Sequence, residues 1–193
     1  LLTLSVTLRY EQGPWLGWVT APWLTLSGPG DVVMIGGGGM GRRGGMGPAT
    51  PRTESGLGDI VAGLSWRLRE EHGAAPALDL VGKVAVGTAD AARGLGTGEN
   101  DYALQLDVVK TRDTWTWTGS AGYLVTGDPA GVTYRDVLYL RVDAENELDD
   151  ARRVGLALDA QQATVSGSDG PAKLTAYYSR RPDKRHKLTA HVL

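Results

Sequence analysis

Apolar and polar residues alternate along most of the chain with a period of two. The first instance is LTLSVTLRY, in which Leu2, Leu4 and Leu8 share one face while Thr3 and Arg9 share the other. This alternation predicts a β-strand, because successive side chains of a strand point to opposite faces. The same period predicts about ten strands and no helix, with strands at residues 2–10, 15–27, 59–68, 78–87, 102–108, 115–123, 138–145, 153–161, 173–179 and 187–192.

The predicted connections alternate between short and long. Compact segments such as EQGP, TRDT and RRPDK alternate with mostly longer, Gly-rich ones at residues 28–58, 88–101, 127–136 and 166–171. Short turns at one end and long loops at the other are the plan of an outer-membrane barrel. The predicted fold class is therefore all-β, an antiparallel up-and-down transmembrane β-barrel. A soluble lipocalin-like barrel shows the same alternation with its apolar face turned inward, and it is the main alternative.

The aromatic residues favour the membrane barrel. They lie toward the ends of the predicted strands, whereas the middles are rich in Leu, Val and Ala. Rings at both ends match the two interfacial girdles of a membrane barrel, while a soluble core buries its aromatic rings centrally. The residues assigned to the girdles are Tyr10, Trp15, Trp18, Trp66, Trp115, Trp117 and Tyr178 beside the short turns, and Trp23, Tyr102, Tyr123 and Tyr139 toward the long loops.

Composition narrows the classes of function. The chain has 193 residues, a net charge of -2 and a pI near 5.9, so we expect a single domain over residues 1–193 and no nucleic-acid partner. It contains no cysteine, which excludes thiolate catalysis and Cys-based zinc sites, and only three histidines. We expect neither a metal nor a cofactor. No apolar run approaches the roughly 18 residues of a membrane helix.

Three stretches resemble a known family. They are SGLGDIVAGLSWRL at residues 55–68, LVGKVAVGTADAARGLGTGENDYALQLDVVK at residues 80–110, and GYLVTGDPAG at residues 122–131. They are similar to the outer-membrane transporter family named for the MetA pathway of phenol degradation. The resemblance implies a barrel of about twelve strands in a Gram-negative outer membrane. It also implies passage of small, often aromatic or hydrophobic compounds.

The strand count leads to an expectation about the ends of the chain. If the short turns are periplasmic, the first predicted strand runs downward and the last runs upward, whereas both termini of such barrels normally lie in the periplasm. The chain also stops at Leu193 inside a predicted strand and has no phenylalanine, whereas members of the family usually end on an aromatic residue. We therefore expect a barrel truncated at both ends, with about ten of twelve strands present.

The segment IGGGGMGRRGGMGPATP, residues 35–51, has the glycine content of a phosphate-binding loop. Such a loop also needs a Lys-Ser or Lys-Thr pair and a following helix, and a Rossmann fingerprint needs a helix directly after the glycines. The sequence provides neither context. We interpret the segment as an outer loop, in which Arg42 and Arg43 are candidates for contact with lipopolysaccharide phosphates and for gating of the barrel mouth.

The polar face of the predicted strands points into the lumen of such a barrel. Its charges mix both signs on neighbouring strands and leave two interpretations open: a narrow water-filled pore, which the expected barrel size favours, or a salt-bridged closed barrel. The candidate lumen-lining residues are Arg9, Asp59, Arg67, Asp79, Lys83, Gln105, Asp107, Arg141, Asp143, Glu145, Arg153, Asp159, Gln161, Lys173, Lys187 and His191.

Catalysis is the third class of function. Some membrane barrels hydrolyse phospholipids with a Ser/His pair, but His186 has no serine at a neighbouring outward position of the predicted strands. We therefore expect a passive channel or transporter rather than an enzyme, with outer-membrane lipid, lipopolysaccharide and a small-molecule permeant as partners. A closed outer-membrane barrel with a structural or ligand-binding role is the alternative.

Overall fold

Most of the chain forms β-strands. The structure, a computed structural model, describes residues 2–29, 32–35, 39–42, 51–129, 133–164, 167, 169–183 and 187–192. Within these ranges the helical structure is one 3₁₀ turn at Ala91–Arg93, and no helix there has the length and hydropathy needed to cross a membrane. The strands are β1 (Leu2–Gln12), β2 (Trp15–Pro29), β3 (Val32–Ile35), β4 (Gly39–Arg42), β5 (Pro51–Leu57), β6 (Ile60–Arg69), β7 (Ala77–Val86), β8 (Asp101–Arg112), β9 (Trp115–Val125), β10 (Val137–Asp149), β11 (Arg152–Gln161), β12 (Ala172–Arg180) and β13 (Leu188–Val192).

Eleven of these strands form one antiparallel sheet. Its order is β1-β2-β6-β7-β8-β9-β10-β11-β12-β13, with β5 also paired to β2, so apart from the insertion of β3 to β5 each strand pairs with the next along the chain. The sheet curls into a half-barrel, and among the described strands β1 and β13 are its edges. This topology confirms the predicted fold class. The expectation of one missing strand at each end stays a prediction.

Short turns and long connections lie at opposite ends of the sheet, as the sequence predicts. Asp113 and Thr114 alone join β8 to β9, and a two-residue turn also joins β10 to β11. Asp113 has a φ of 55°, the left-handed conformation that tight hairpin turns require. At the other end, residues 87–100 connect β7 to β8 and residues 126–136 connect β9 to β10.

The connection predicted as one loop at residues 28–58 contains three strands instead. β3 and β4 form a separate two-stranded sheet, and β5 pairs with the C-terminal half of β2, from Trp23 to Pro29. β6 pairs with the first part of β2 and β5 with the last part, and only Gly58 and Asp59 separate β5 from β6. The two strands therefore form one long edge-to-edge partner of β2, called the β5–β6 wall, which extends beyond the end of β7. The alternation rule missed β5 because its cross-strand contacts are hydroxyl pairs, such as Thr25 with Ser55 at 2.9 Å.

The two faces of the sheet differ in composition and exposure. On the convex face the apolar side chains are exposed, with Leu8 74% and Leu140 60% accessible. On the concave face the side chains of different strands converge, so Ser120 is 7% accessible and Ala157 is 0% accessible. The polar residues therefore line the inside of the curl and the apolar residues the outside, which is the arrangement of a membrane barrel and the reverse of a soluble one.

Candidate functional site on the concave face

The first group of polar side chains on the concave face centres on Gln105 of β8. Its Oε1 accepts a hydrogen bond from Lys83 Nζ at 2.5 Å and from the Tyr139 hydroxyl at 2.7 Å, and its Nε2 donates to Asp107 at 2.5 Å. Lys83 Nζ also lies 5.6 Å from the centroid of the Tyr139 ring, within the range of a cation–π contact. These four residues, the Gln105 cluster, join β7, β8 and β10.

A second group, the Tyr177 cluster, joins β10, β11 and β12. The Tyr177 hydroxyl lies 3.0 Å from Asp143 Oδ1 and 3.2 Å from Glu145 Oε2, so it can donate to either carboxylate. Arg141 Nη1 donates to Asp159 at 2.8 Å, and Arg141 Nη2 lies 3.3 Å from Asp143. These five side chains, Arg141, Asp143, Glu145, Asp159 and Tyr177, are therefore linked across the three strands by ion pairs and hydrogen bonds.

Two further arginines bind carboxylates on adjacent strands. Arg153 of β11 donates to Glu145 at 3.1 Å and to Glu147 at 2.9 Å. Arg67 of β6 forms a two-point contact with Asp79 of β7, in which Nη2 lies 3.2 Å from Oδ2. Two-point charge-assisted hydrogen bonds fix the orientation of both side chains. The ion pairs thus connect neighbouring strands on the concave face.

Both tyrosines reach past the strand next to their own because that strand carries a glycine. Tyr139 of β10 is paired with Gly122 of β9, and Gly122 is paired with Gln105 of β8. A Cβ added to Gly122 would lie 2.3 Å from the Tyr139 Cζ, so any larger residue would displace the ring. Tyr177 lies over Gly155 of β11 in the same way, and Gly155 is paired with Glu145, one of the acceptors of Tyr177. Each rung, defined as tyrosine, glycine and acceptor, spans three strands.

Two residues predicted to belong to the aromatic girdles lie on the concave face instead. Trp18 of β2 lies over Gly63 of β6, where an added Cβ would be 2.2 Å from Trp18 Cζ2, and Tyr139 lies over Gly122. The girdle prediction was wrong for both because a glycine on the paired strand makes room for a ring on the polar face. The other assigned residues are exposed on the convex face: Tyr10, Trp15, Trp23, Trp66, Tyr102, Trp115, Trp117, Tyr123 and Tyr178.

Most of the chain matches a model of a known protein family. One family model matches residues 5–181, and its description is "Putative MetA-pathway of phenol degradation". The chain belongs to this family. The match confirms the resemblance inferred from the three Gly-rich stretches, and it agrees with the half-barrel in fitting an outer-membrane barrel protein. No curated protein matches the chain.

In this member of the MetA-pathway family, strand register places the predicted lumen residues of the described strands on one face. Those that form direct contacts with one another are Arg67, Asp79, Lys83, Gln105, Asp107, Arg141, Asp143, Glu145, Arg153 and Asp159. The spacing of charged residues in the sequence anticipates these groups. Tyr177 was missed, as was the pairing of each rung's glycine with a tyrosine ring, although a tyrosine in register with a glycine is a signal that strand alignment could have used.

The remaining predicted residues lie around these contacts. Arg9 of the edge strand β1 and Lys173 of β12 are exposed, the latter paired in register with Asp159. Gln161 ends β11 opposite Tyr139, and Asp59 is buried at the junction of β5 and β6. Register pairs His191 with Tyr177, although the His191 side chain is not described. Lys187 precedes β13 and is exposed. That this face lines a pore stays a prediction.

The predicted gating residues fall on a part of the chain that is described only in part. Arg42 ends β4, but its side chain is not described, and Arg43 lies outside the described residues, as does His186. Lipopolysaccharide contact and gating by this Gly-rich segment therefore stay predictions.

Proposed function

We propose that this protein is an outer-membrane channel that lets small compounds cross the membrane passively. The contrast between the faces of the sheet carries the proposal: exposed leucine, valine and aromatic residues cover the convex face, and ionised residues cover the concave one. Lipid accommodates the first face, whereas charged groups need water, each other or a polar permeant. Outer-membrane lipid and lipopolysaccharide are then the surroundings of the convex face.

We further propose that the permeants are small aromatic or hydrophobic compounds. Two observations support this class. The description of the family refers to phenol degradation. In addition, Trp18, Tyr139 and Tyr177 present rings on an otherwise polar wall, where they offer a surface against which a planar molecule can stack.

A channel suits the concave face better than an enzyme. The polar groups of the Gln105 and Tyr177 clusters bind one another, which braces the wall. Nucleophilic catalysis instead requires a nucleophile and a base that are aligned toward a substrate. We therefore propose a passive function without a chemical step.

A closed barrel with a structural or ligand-binding role is the second candidate. The two tyrosine rungs and the network around Arg141 favour it, because they carry side chains across the concave face and reduce the space available to a solute. Barrel size allows either outcome, since small barrels are filled by side chains and large ones hold an aqueous channel.

Membrane location is tested by fractionation of cells that express the full chain, together with heat-modifiable migration of the protein on gels. We expect the protein in the outer-membrane fraction, with a folded form that migrates differently from the boiled one. A chain that stays soluble without detergent would refute the membrane barrel.

Transport is tested in planar bilayers and in liposomes. We expect discrete single-channel currents and faster uptake of phenol-like compounds than of aliphatic compounds of equal size. Absence of current and of uptake in a correctly folded protein would favour the closed barrel. Equal uptake of both solute classes would retain the channel and remove the aromatic preference.

A further inference from the structure

Residues 87–100, which we call the strap, connect β7 to β8. The strap lies over the concave side of the sheet, at the end of the sheet where the long connections are. It leaves β7 and returns to β8, yet Leu95 packs against Leu24 and Ala89 and is only 1% accessible. Leu24 belongs to β2 and is paired with Gly56 of β5. Since the wall formed by β5 and β6 lies between β7 and β2, the strap must pass over the inner side of that wall to make this contact.

The side chains of β2 and β5 that meet the strap are all on the concave face. Register places Leu24 and Leu26 of β2 opposite Gly56 and Glu54 of β5, whereas Trp23, which precedes Leu24, is exposed on the convex face. An added Cβ on Gly56 would lie 2.6 Å from a methyl carbon of Leu95, which shows how closely the strap approaches the wall. Leu95 therefore lies on the concave side of the sheet, at its long-loop end.

Polar contacts hold the same end of the strap. Arg93 Nε donates to Glu54 at 2.7 Å, and the Ala89 amide donates to Asp59 Oδ1 at 3.0 Å. Burial raises the pKa of Asp59, and the charge of Asp101 raises it further, as expected for a carboxyl enclosed by the strap. Together with the apolar contact of Leu95, these polar contacts fix this part of the strap to β2, β5 and the β5–β6 junction.

The other end of the strap returns to β8, where it lies beside the neighbouring β9–β10 connection. The Gly127 amide, in the β9–β10 connection, donates to Asp101 at 2.8 Å. An added Cβ on Gly127 would lie 2.5 Å from the Glu99 Cβ, so the strap and this connection are in close contact. Within the strap, the Gly87 amide donates to Asn100 at 3.0 Å. The strap is thus anchored to β2 and β5 at one side and to the β9–β10 connection at the other.

We propose that the strap is a fixed constriction inside the mouth and sets the upper size limit of the permeant, with Leu95 and Arg93 as its anchors. This inference rests on the proposed channel function. It assigns the size limit to a different segment from the Gly-rich residues 35–51. Bulky solutes are rejected because the strap occupies part of the cross-section, and small planar compounds pass beside it.

The test is Leu95→Asp in the full chain, which places a carboxylate in the apolar contact and should detach the strap. We expect a larger single-channel conductance and entry of larger sugars in liposome swelling assays than with the wild-type protein. Leu95→Met, which nearly conserves volume, is the matched control and should behave as wild type. A correctly folded Leu95→Asp protein with unchanged conductance and unchanged size limit would overturn the proposal.

The ion pair provides a second test that does not depend on the apolar contact. Arg93→Glu and Glu54→Arg should each shift the size limit in the same direction, and the double variant should restore it, because the swapped charges can pair again. Arg112→Ala, at the exposed short-turn end, is the control and should change nothing. Failure of both single variants to alter the limit would contradict the role of Arg93.

A labelling experiment shows which proposal is wrong, the constriction by the strap or the channel function, if the conductance tests fail. The chain has no cysteine, so Ala103→Cys introduces a unique thiol at a half-buried position of the concave face, close to where the strap joins β8. A water-soluble maleimide should label this thiol faster when Leu95→Asp is also present. Faster labelling without any current would refute the channel and retain the strap, whereas equal labelling rates would refute the strap.

Discussion

The two faces of the sheet are formed by the same strands but carry opposite kinds of side chain. Leu106 and Asp107 are neighbours in β8, but Leu106 is 42% accessible on the convex face and Asp107 accepts a hydrogen bond from Gln105 on the concave one. In a bilayer, a side chain at the position of Leu106 would contact lipid and should be apolar, whereas the carboxylate of Asp107 needs a hydrogen-bond partner. The comparison shows that the direction of a side chain decides which kind of residue its position accepts.

The largest effect is expected for a charge on the convex face. Leu106→Arg should destabilise the folded protein by about 2 to 4 kcal/mol, because in the proposed membrane barrel it places a cation in the lipid near the midplane. The free energy of unfolding is measured by denaturant titration of the protein in vesicles. Asp107→Leu is the matched variant on the other face. A neutral Leu106→Arg together with a strongly destabilising Asp107→Leu would mean that the two faces are reversed.

A smaller effect is expected for a methyl group added to the concave face. Gly122→Ala should destabilise by about 1 to 3 kcal/mol, because the new Cβ overlaps the Tyr139 ring. Gly119→Ala on the same strand is the control: no atom lies within 4 Å of its added Cβ, and the change should stay within about 0.5 kcal/mol. Both are measured by the same titration. Equal effects at the two glycines would show that the rung makes no specific contribution.

The smallest effect is expected for a single hydroxyl group. Tyr177→Phe removes the donor to Asp143 and Glu145 and should cost about 1 kcal/mol, since the site is only partly buried. Tyr178→Phe changes the next residue, whose ring is exposed on the convex face, and should cost less. A greater loss of stability for Tyr178→Phe would indicate that the hydroxyl of Tyr178 on the convex face contributes more than that of Tyr177 on the concave face.

Much of the fold could be predicted because it depends on local alternation. A period of two determines both the strand and the face of each residue, so neighbours such as Leu106 and Asp107 were assigned to opposite faces from the sequence alone. Short segments such as TRDT predicted the hairpin turns. The charged residues of the concave face could be named for the same reason, but their partners could not, because ion pairs such as Arg67 with Asp79 depend on strand register.

Features without a period could not be predicted. β5 carries polar residues where it extends the wall, so its sequence resembles a loop. The strap has no alternation either, and nothing local to Leu95 indicates that it packs against Leu24 from a distant strand. Trp18 was assigned to a girdle because its position near a strand end was visible, whereas its contact with Gly63 requires the pairing of β2 with β6.

The sequence by itself therefore determined the ten strands that pair in chain order, their two faces and the family, since these follow from side-chain alternation and from Gly-rich stretches. Tertiary structure alone decided which residues meet across the concave face. Curling of the sheet brings together side chains that are far apart along the chain, such as Tyr177 with Glu145 and Leu95 with Leu24. Those contacts depend on strand register, on glycines that leave room for rings, and on the path of residues 87–100 along the concave side of the sheet, and no local pattern encodes them.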